Sequence, residues 1–216
     1  MKRSFLTAAL VCLILALTGC GSDRSPEFVA QILSDPAFDG DIEQNPPGVF
    51  TVTQGMSPTV QSVFAGIDPA TGAEFRAFLD FPLTGVGGVP GNAIIASAFL
   101  DLVVTSIQPP TGTIPIRIEL VSFQPPTLIP TDYDRTLQPP LAFTTIVPPI
   151  SQFDVGHHVR FDVTPLMVQA QILGLSNFQV RIMEDLGPVL PGIVEINDTT
   201  GPNRSLLAPL LQVAFF

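Results

Sequence analysis

The side chains able to do chemistry together are few, and two short acidic stretches group them most closely. Asp39-Gly40-Asp41-Ile42-Glu43 sets three carboxylates at alternating positions, and Asp132-Tyr133-Asp134 sets two around the chain's one tyrosine. Calcium favours carboxylates and backbone carbonyls on loops, so Asp39, Asp41 and Glu43 are candidate ligands for a structural calcium. Neither stretch has the full acidic loop of an EF-hand, and acidic turn residues that only cap and solubilise would look the same. Asp132, Tyr133 and Asp134 stand between Pro130 and Pro139-Pro140. There they offer one stacking ring and two hydrogen-bond acceptors on a loop of limited freedom, a candidate ligand-binding segment. His157 and His158 are the only histidines. Neighbours on a strand point to opposite faces, so the pair cannot chelate one metal, and a solvated strand start is expected. No serine stands in a Gly-x-Ser-x-Gly elbow, and no glutamate stands in a recognisable acid/base motif. The reading is of a protein that is not an enzyme.

Composition narrows the choices further. The chain has 216 residues with a formal net charge of −10, and Lys2 is its only lysine. Schiff-base chemistry and a Walker-type phosphate lysine are excluded, and a surface this acidic repels nucleic acid. Sixteen phenylalanines stand against one tyrosine and no tryptophan, the balance of a chain built to pack more than to grip. With 23 prolines and 17 glycines, long helices have little room and loops between strands are well punctuated.

Alternation with period two supplies the elements that must position these residues. Phe75, Ala77, Leu79 and Phe81 share one face, with Glu74, Arg76 and Asp80 opposite. Leu100 and Leu102, then Ile116 and Ile118, then Phe161 and Val163 follow the same rule, and with Val180 and Val213 they form the expected core. Asp80, Asp101 and Asp162 are expected on a solvated face or in loop hydrogen bonds. Phe28 to Leu33, Val49 to Thr53, Ala142 to Val147 and Ile193 to Asn197 are further strands. Pro115 marks an edge or bulge because it lacks an amide donor. Thr164-Pro165 opens the one convincing helix, with threonine as its cap and Gly174 past its end. Nine or ten strands and a single short helix predict an all-β, antiparallel sandwich or barrel. No composition shift marks a second domain, so 28–216 reads as one unit.

The N-terminus has a different logic. Lys2 and Arg3 precede an apolar run from Phe5 to Leu17, which ends at Leu17-Thr18-Gly19-Cys20. The run is too short to span a bilayer and has the flanks of an export signal. Leu-x-Gly-Cys resembles the lipobox of bacterial lipoproteins. The resemblance implies cleavage after residue 19, a diacylglycerol thioether on Cys20 and acylation of the new terminus. Several acyl chains at about 0.8 kcal/mol per buried methylene make a persistent anchor. Residues 20–27 then form a short tether. The remaining cysteine, Cys12, leaves with the signal, so no disulfide is expected. Gly21 after the cysteine implies, by resemblance to lipoprotein sorting rules, the outer membrane of a two-membrane cell.

The order of strands carries a second resemblance. Phe75-Arg76-Ala77-Phe78-Leu79-Asp80-Phe81 and Ile94-Ile95-Ala96-Ser97-Ala98-Phe99-Leu100-Asp101-Leu102 resemble two successive strands of the DNRLRE-type domain. Phe161-Asp162-Val163-Thr164 with its helix, and Pro209-Leu210-Leu211-Gln212-Val213, resemble the later ones. That family is similar to a jelly-roll carbohydrate-binding module of exported and surface proteins, so the resemblance implies an antiparallel jelly-roll β-sandwich with one short helix. The resemblance implies a non-catalytic module that binds polysaccharide or cell-surface glycan. Arg76 and Asp162 fall on family positions where structural pairing is expected. Family members carry tryptophans in the region matching Gln124 to Pro149, and this chain has none. Their absence favours the alternative, a structural or assembly lipoprotein of the envelope that contacts another protein.

Overall fold

Strand β6 (Ile95–Gln108) is the hinge of the architecture, because its 14 residues serve two groups of strands. Its first part pairs antiparallel with β14 (Leu210–Phe215) and β11 (His158–Asp162), and its last part pairs with β13 (Ile193–Asn197). Beyond β14 lies β1 (Phe28–Leu33). Beyond β13 the sheet runs through β4 (Ser62–Ile67), β5 (Glu74–Pro82), β12 (Asn177–Glu184) and β8 (Ile116–Val121) to β9 (Ala142–Thr145). Strand β2 (Gly40–Asn45) pairs with β5 and carries β3 (Val49–Gln54) on its far side. Two short strands, β7 (Thr113–Ile114) and β10 (Ile150–Ser151), pair with each other. The result is an all-β, antiparallel sheet curled on itself in the manner of a sandwich. The computed structural model describes residues 27–45, 48–55, 61–123, 127–185 and 189–216. The signal segment, Cys20 and nearly all of the tether lie outside them.

Alternation places the core as the sequence requires. Leu79, Leu100, Leu102, Ile116, Ile118, Phe161, Val163, Val180 and Val213 all belong to one buried cluster between the curled halves. Phe75 differs: it is half-buried and packs at 5.8 Å against Phe64 outside that cluster. Pro115 breaks the chain between β7 and β8, and its carbonyl accepts from the Asp185 amide instead.

Three α-helices occur among the described residues, and only α2 (Thr164–Ile172) is longer than one turn; α1 (Pro130–Tyr133) and α3 (Arg204–Leu207) are single turns, as is a 3-10 turn at Gln152–Asp154. The cap of α2 is not the expected one. The Thr164 hydroxyl bonds to the backbone of Ala98, and the Thr164 amide donates to Asp162 Oδ1 at 2.8 Å. An aspartate two residues upstream of Thr164 does the capping, which frees threonine to tie the helix to β6. Gly174 follows the end of α2 at φ +64, a conformation that suits glycine there.

Two strands escape the simple reading. Strand β2 runs through the acidic stretch, so Asp41 and Glu43 lie in a strand and not in a turn. Strand β4 holds Val63 and Ala65 in the core and leaves Ser62 and Phe64 half-buried.

Candidate functional site

On the outer face of β5, β12 and β8, register brings Arg76, Asp80, Gln179, Arg181, Arg117 and Glu119 together. The sequence places Arg76 and Asp80 on this face correctly, but they are not solvated. Asp80 is 1% exposed, and Gln179 and Asn177 donate to its carboxylate. Residues 128–138 cover the face, and Ile42, Phe78, Val121, Phe123, Leu128 and Tyr133 form a second apolar cluster under them.

Glu119 and Arg181 fasten this cover. Both side chains are fully buried, with Arg181 Nη2 at 2.6 Å from Glu119 Oε2. Arg117 Nε and Arg135 Nε donate to Oε1 at 2.8 and 2.9 Å. Arg181 also donates to the carbonyls of Asp132 and Gln138, and Arg76 donates to that of Tyr133. Burial pushes the Glu119 carboxyl up, but the Arg181, Arg135 and Arg117 guanidiniums outweigh it and hold the group below its ordinary range.

Tyr133, Asp132 and Asp134 therefore sit on a fixed cover. The Tyr133 ring is buried, with the Arg76 guanidinium 3.8 Å from its centroid and Phe50 at its edge. Its hydroxyl donates to Gln44 Oε1 at 2.8 Å. Asp132 Oδ2 accepts from the Ile129 amide and closes the turn of α1, while Asp134 Oδ1 accepts from Thr136. A cavity of about 380 Å³ beside them is lined by Gln44, Phe50, Arg76, Tyr133, Asp134 and Arg135. One face of the tyrosine ring carries a cation, and its hydroxyl and both flanking carboxylates already have partners. Little of this trio is left for stacking.

Asp39, Asp41 and Glu43 do not converge on one point. Among the described residues no three His, Cys, Asp or Glu side chains gather where they could hold a metal ion. Asp39 Oδ1 accepts from the Asp80 amide at 2.8 Å. Burial, and then the neighbouring Asp198 carboxylate, push Asp39 well above its ordinary range. Asp198 is raised by burial too, with Arg204 acting against it. Burial also pushes Asp41 up to about 7, and Glu184 to about 7.

These raised acids set a pH dependence. A carboxyl that holds its proton more tightly when folded stabilises the fold fully below its unfolded pKa. That stabilisation is lost as pH rises through the folded value. For Asp41 and Glu184 the window runs from the ordinary 3.8 and 4.5 up to about 7. Glu119 works in the opposite sense, and its contribution is lost in acid. Thermal unfolding should therefore show a higher midpoint at pH 5 than at pH 8, by on the order of 3 kcal/mol in stability. Glu184→Gln should flatten the slope. A midpoint that rises steadily to pH 8 would contradict this.

A second concavity lies at the rim where β2, β4, β5, β6 and β13 meet. Two cavities, of about 380 and 160 Å³, share Phe64, Phe75 and Glu195 as walls. Asp41, Thr53, Gln61 and Ser62 complete the larger, and Asp68, Ser106, Gln108 and Ile193 the smaller. Register explains the grouping: Glu195 on β13 lies opposite Phe64 on β4 and Ser106 on β6. The Ser62 and Ser106 hydroxyls donate to its two carboxylate oxygens at 2.8 and 2.7 Å. Phe75 lies opposite Gly66, whose φ is +118. A Cβ on Gly66 would run into the Gly192 carbonyl oxygen, so glycine is needed for the strands to approach at this corner. Asp41 is 3% exposed, and its Oδ2 accepts from the Phe64 amide at 3.2 Å. No arginine, lysine or histidine lines either cavity among the described residues.

Sequence reading missed this groove because it missed β4. The signal was present, as Val63, Ala65 and Ile67 alternate with Ser62, Phe64 and Gly66, but Gly66 and nearby Pro58 disguise it. The two histidines sit where expected, exposed at the start of β11, with His158 Nδ1 2.7 Å from Asp101 Oδ1. No helix among the described residues is long and apolar enough to cross a membrane. The chain matches no protein-family model and no curated protein.

Proposed function

We propose that this chain is an envelope-anchored lipoprotein whose non-catalytic β-sandwich holds polysaccharide or cell-surface glycan in the Phe64–Phe75 groove. The observation that supports this reading is the pairing of two half-buried phenyl rings with carboxylate and hydroxyl groups at adjoining cavities. A sugar ring has an apolar C–H face that packs on an aromatic ring and a rim of hydroxyls that needs acceptors. Ligand sites of this kind combine aromatic walls with a few placed polar groups, in volumes of about 300 Å³ and above. The DNRLRE-like order of strands agrees with the same class of ligand, though a fold alone establishes no site.

Retention of the full-length chain, in detergent, on a panel of neutral, amino and acidic polysaccharides tests the reading, with and without calcium. Binding to at least one is expected. Retention on none would favour the structural or assembly role, which the burial of Tyr133 and the lack of tryptophan support. The anchor has its own test. An alkyne fatty acid should label the wild type in cells and leave Cys20→Ala unlabelled, with the labelled protein in the outer-membrane fraction of a two-membrane cell. Labelling that persists in Cys20→Ala would remove the lipid from the account.

A further inference from the structure

Three strands begin or finish at one end of the fold. Phe28 opens β1 opposite Phe215 at the end of β14, and Phe215 in turn lies opposite Ile95 at the start of β6. Ile94 and Phe216 exchange backbone hydrogen bonds just beyond the last pair. Helix α2 runs toward the same end. The Thr164 hydroxyl at its start accepts from the Ala98 amide in β6, and Gln171 Nε2 near its finish reaches the Pro90 carbonyl in the loop that enters β6. The side chains left here are large, apolar and exposed. Phe28, Val29, Ile94 and Phe216 end the strands, Ile172 and Leu173 end the helix, and Ile94 and Ile172 keep 71 and 73% of their surface. Single exposed apolar residues are ordinary, but a group at one end marks a surface that meets something apolar. The segments that build this end also lie in stretches without charge: residues 28–34, 81–100, 163–180 and 205–216 contain no aspartate, glutamate, histidine, lysine or arginine. The nearest acid along β1 is Glu27, exposed just before Phe28. Toward the other end of β6, by contrast, Asp41, Asp68 and Glu195 line the groove. Laying a charged surface on lipid would cost its hydration, and these segments have no charged side chain to strip.

The position of this end in the chain points to its partner. Cys20 stands eight residues before Phe28, and an extended chain spans at most about 3.6 Å per residue. A lipid on Cys20 therefore holds Phe28 within about 29 Å of the bilayer surface. From this we propose that the apolar end formed by Phe28, Val29, Ile94, Phe216 and the last turn of α2 rests on the bilayer that holds the Cys20 lipid. The inference rests on the reading of the chain as a lipid-anchored protein, and it adds how the domain sits on the membrane. The exposed rings and aliphatic side chains enter the boundary between headgroups and acyl chains, where their apolar surface leaves water. Anchor and contact act as two linked sites. The tether keeps the apolar end at high local concentration, so a contact too weak to hold the domain by itself suffices. The Phe64–Phe75 groove, beside Ser106 toward the far end of β6, is left clear of the lipid.

The chain has no tryptophan, so one introduced indole reports alone. Phe216→Trp places it in the apolar end. Phe153→Trp places it in an exposed turn that Gly156 ties to Val104, further along β6. Each full-length variant is taken from cells fed an alkyne fatty acid and reconstituted in dioleoylphosphatidylcholine vesicles, with and without lipid brominated near the head of its acyl chains. Emission from Phe216→Trp should shift to the blue and be quenched by the brominated lipid, and Phe153→Trp should show neither effect. Adding Ile94→Glu, at an exposed position, should relieve the quenching of Phe216→Trp and leave the fatty-acid label unchanged. Labelled protein in which Phe216→Trp is not quenched, or in which both reporters are quenched alike, overturns the docking while the anchor stands. A blue shift without quenching assigns the end to a second copy or another protein, and overturns it too. Quenching that survives Ile94→Glu also overturns it, since the anchor alone would then bring the ring to lipid. A chain that takes up no label removes the anchor reading, and the inference with it.

Discussion

Glu119→Gln should lower stability by about 3–5 kcal/mol, the usual cost of removing one partner from a buried ion pair. The reason is the asymmetry of the cluster. One carboxylate answers three guanidiniums, and both it and Arg181 have no exposed side-chain surface. An amide keeps the shape but leaves Arg181 buried with an uncompensated charge. Arg135, with 27% of its side chain exposed, can turn to water instead. Arg135→Ala should therefore cost no more than about 1 kcal/mol. Urea unfolding of the two variants decides the matter. Equal costs, or a loss under about 1 kcal/mol for Glu119→Gln, would mean that the cover over this face is held by its apolar contacts and not by the charge.

Phe178→Ala should be comparably severe, at about 3–5 kcal/mol, because it opens a cavity that the curled sheet cannot close. Phe178 is 0% exposed, and its ring lies 6.2 Å from that of Phe81 on the neighbouring strand. Both strands are held by partners on either side, so their backbones cannot collapse inward without breaking ladder hydrogen bonds. The check is the shift in the denaturant midpoint at constant slope. A cost under about 1 kcal/mol would place the ring on a yielding edge of the core.

The two substitutions mark what was legible in the sequence. Leu100, Ile118 and Val180, which shares its strand face with Phe178, could be placed inward from alternation alone, because one face of a strand must leave water and period two says which. The same logic assigned Arg76 and Asp80 to the opposite face, and it failed only in taking that face to be wet. Alternation reports which side a residue takes, and nothing about what later chain will lie on it. The cover comes from residues 128–138, an irregular stretch opened by Pro130 that gives no period to read, and its fastening to Glu119 depends on pairings far apart in the chain. Asp162 shows a smaller version of the same limit. Thr164 had the right type and position for a cap, yet its hydroxyl was claimed by Ala98 across the sheet. The groove was the least legible part. Phe64, Glu195, Ser106 and Asp41 come from four strands, and only the register of those strands makes them neighbours.

The central claim is that this groove, and not the Tyr133 loop, holds a glycan. Its most direct test is titration of glucosamine and β-1,4-glucose hexamers against wild type, Phe64→Ala and Tyr133→Phe, with thermal unfolding to confirm that each variant is folded. Loss of the Phe64 ring removes apolar contact worth at least a factor of about ten in affinity. Tyr133→Phe removes only the hydroxyl that Gln44 already holds. The account predicts binding by wild type, a loss of about tenfold or more in Phe64→Ala and no change in Tyr133→Phe. Unchanged affinity in Phe64→Ala together with a loss in Tyr133→Phe would contradict it.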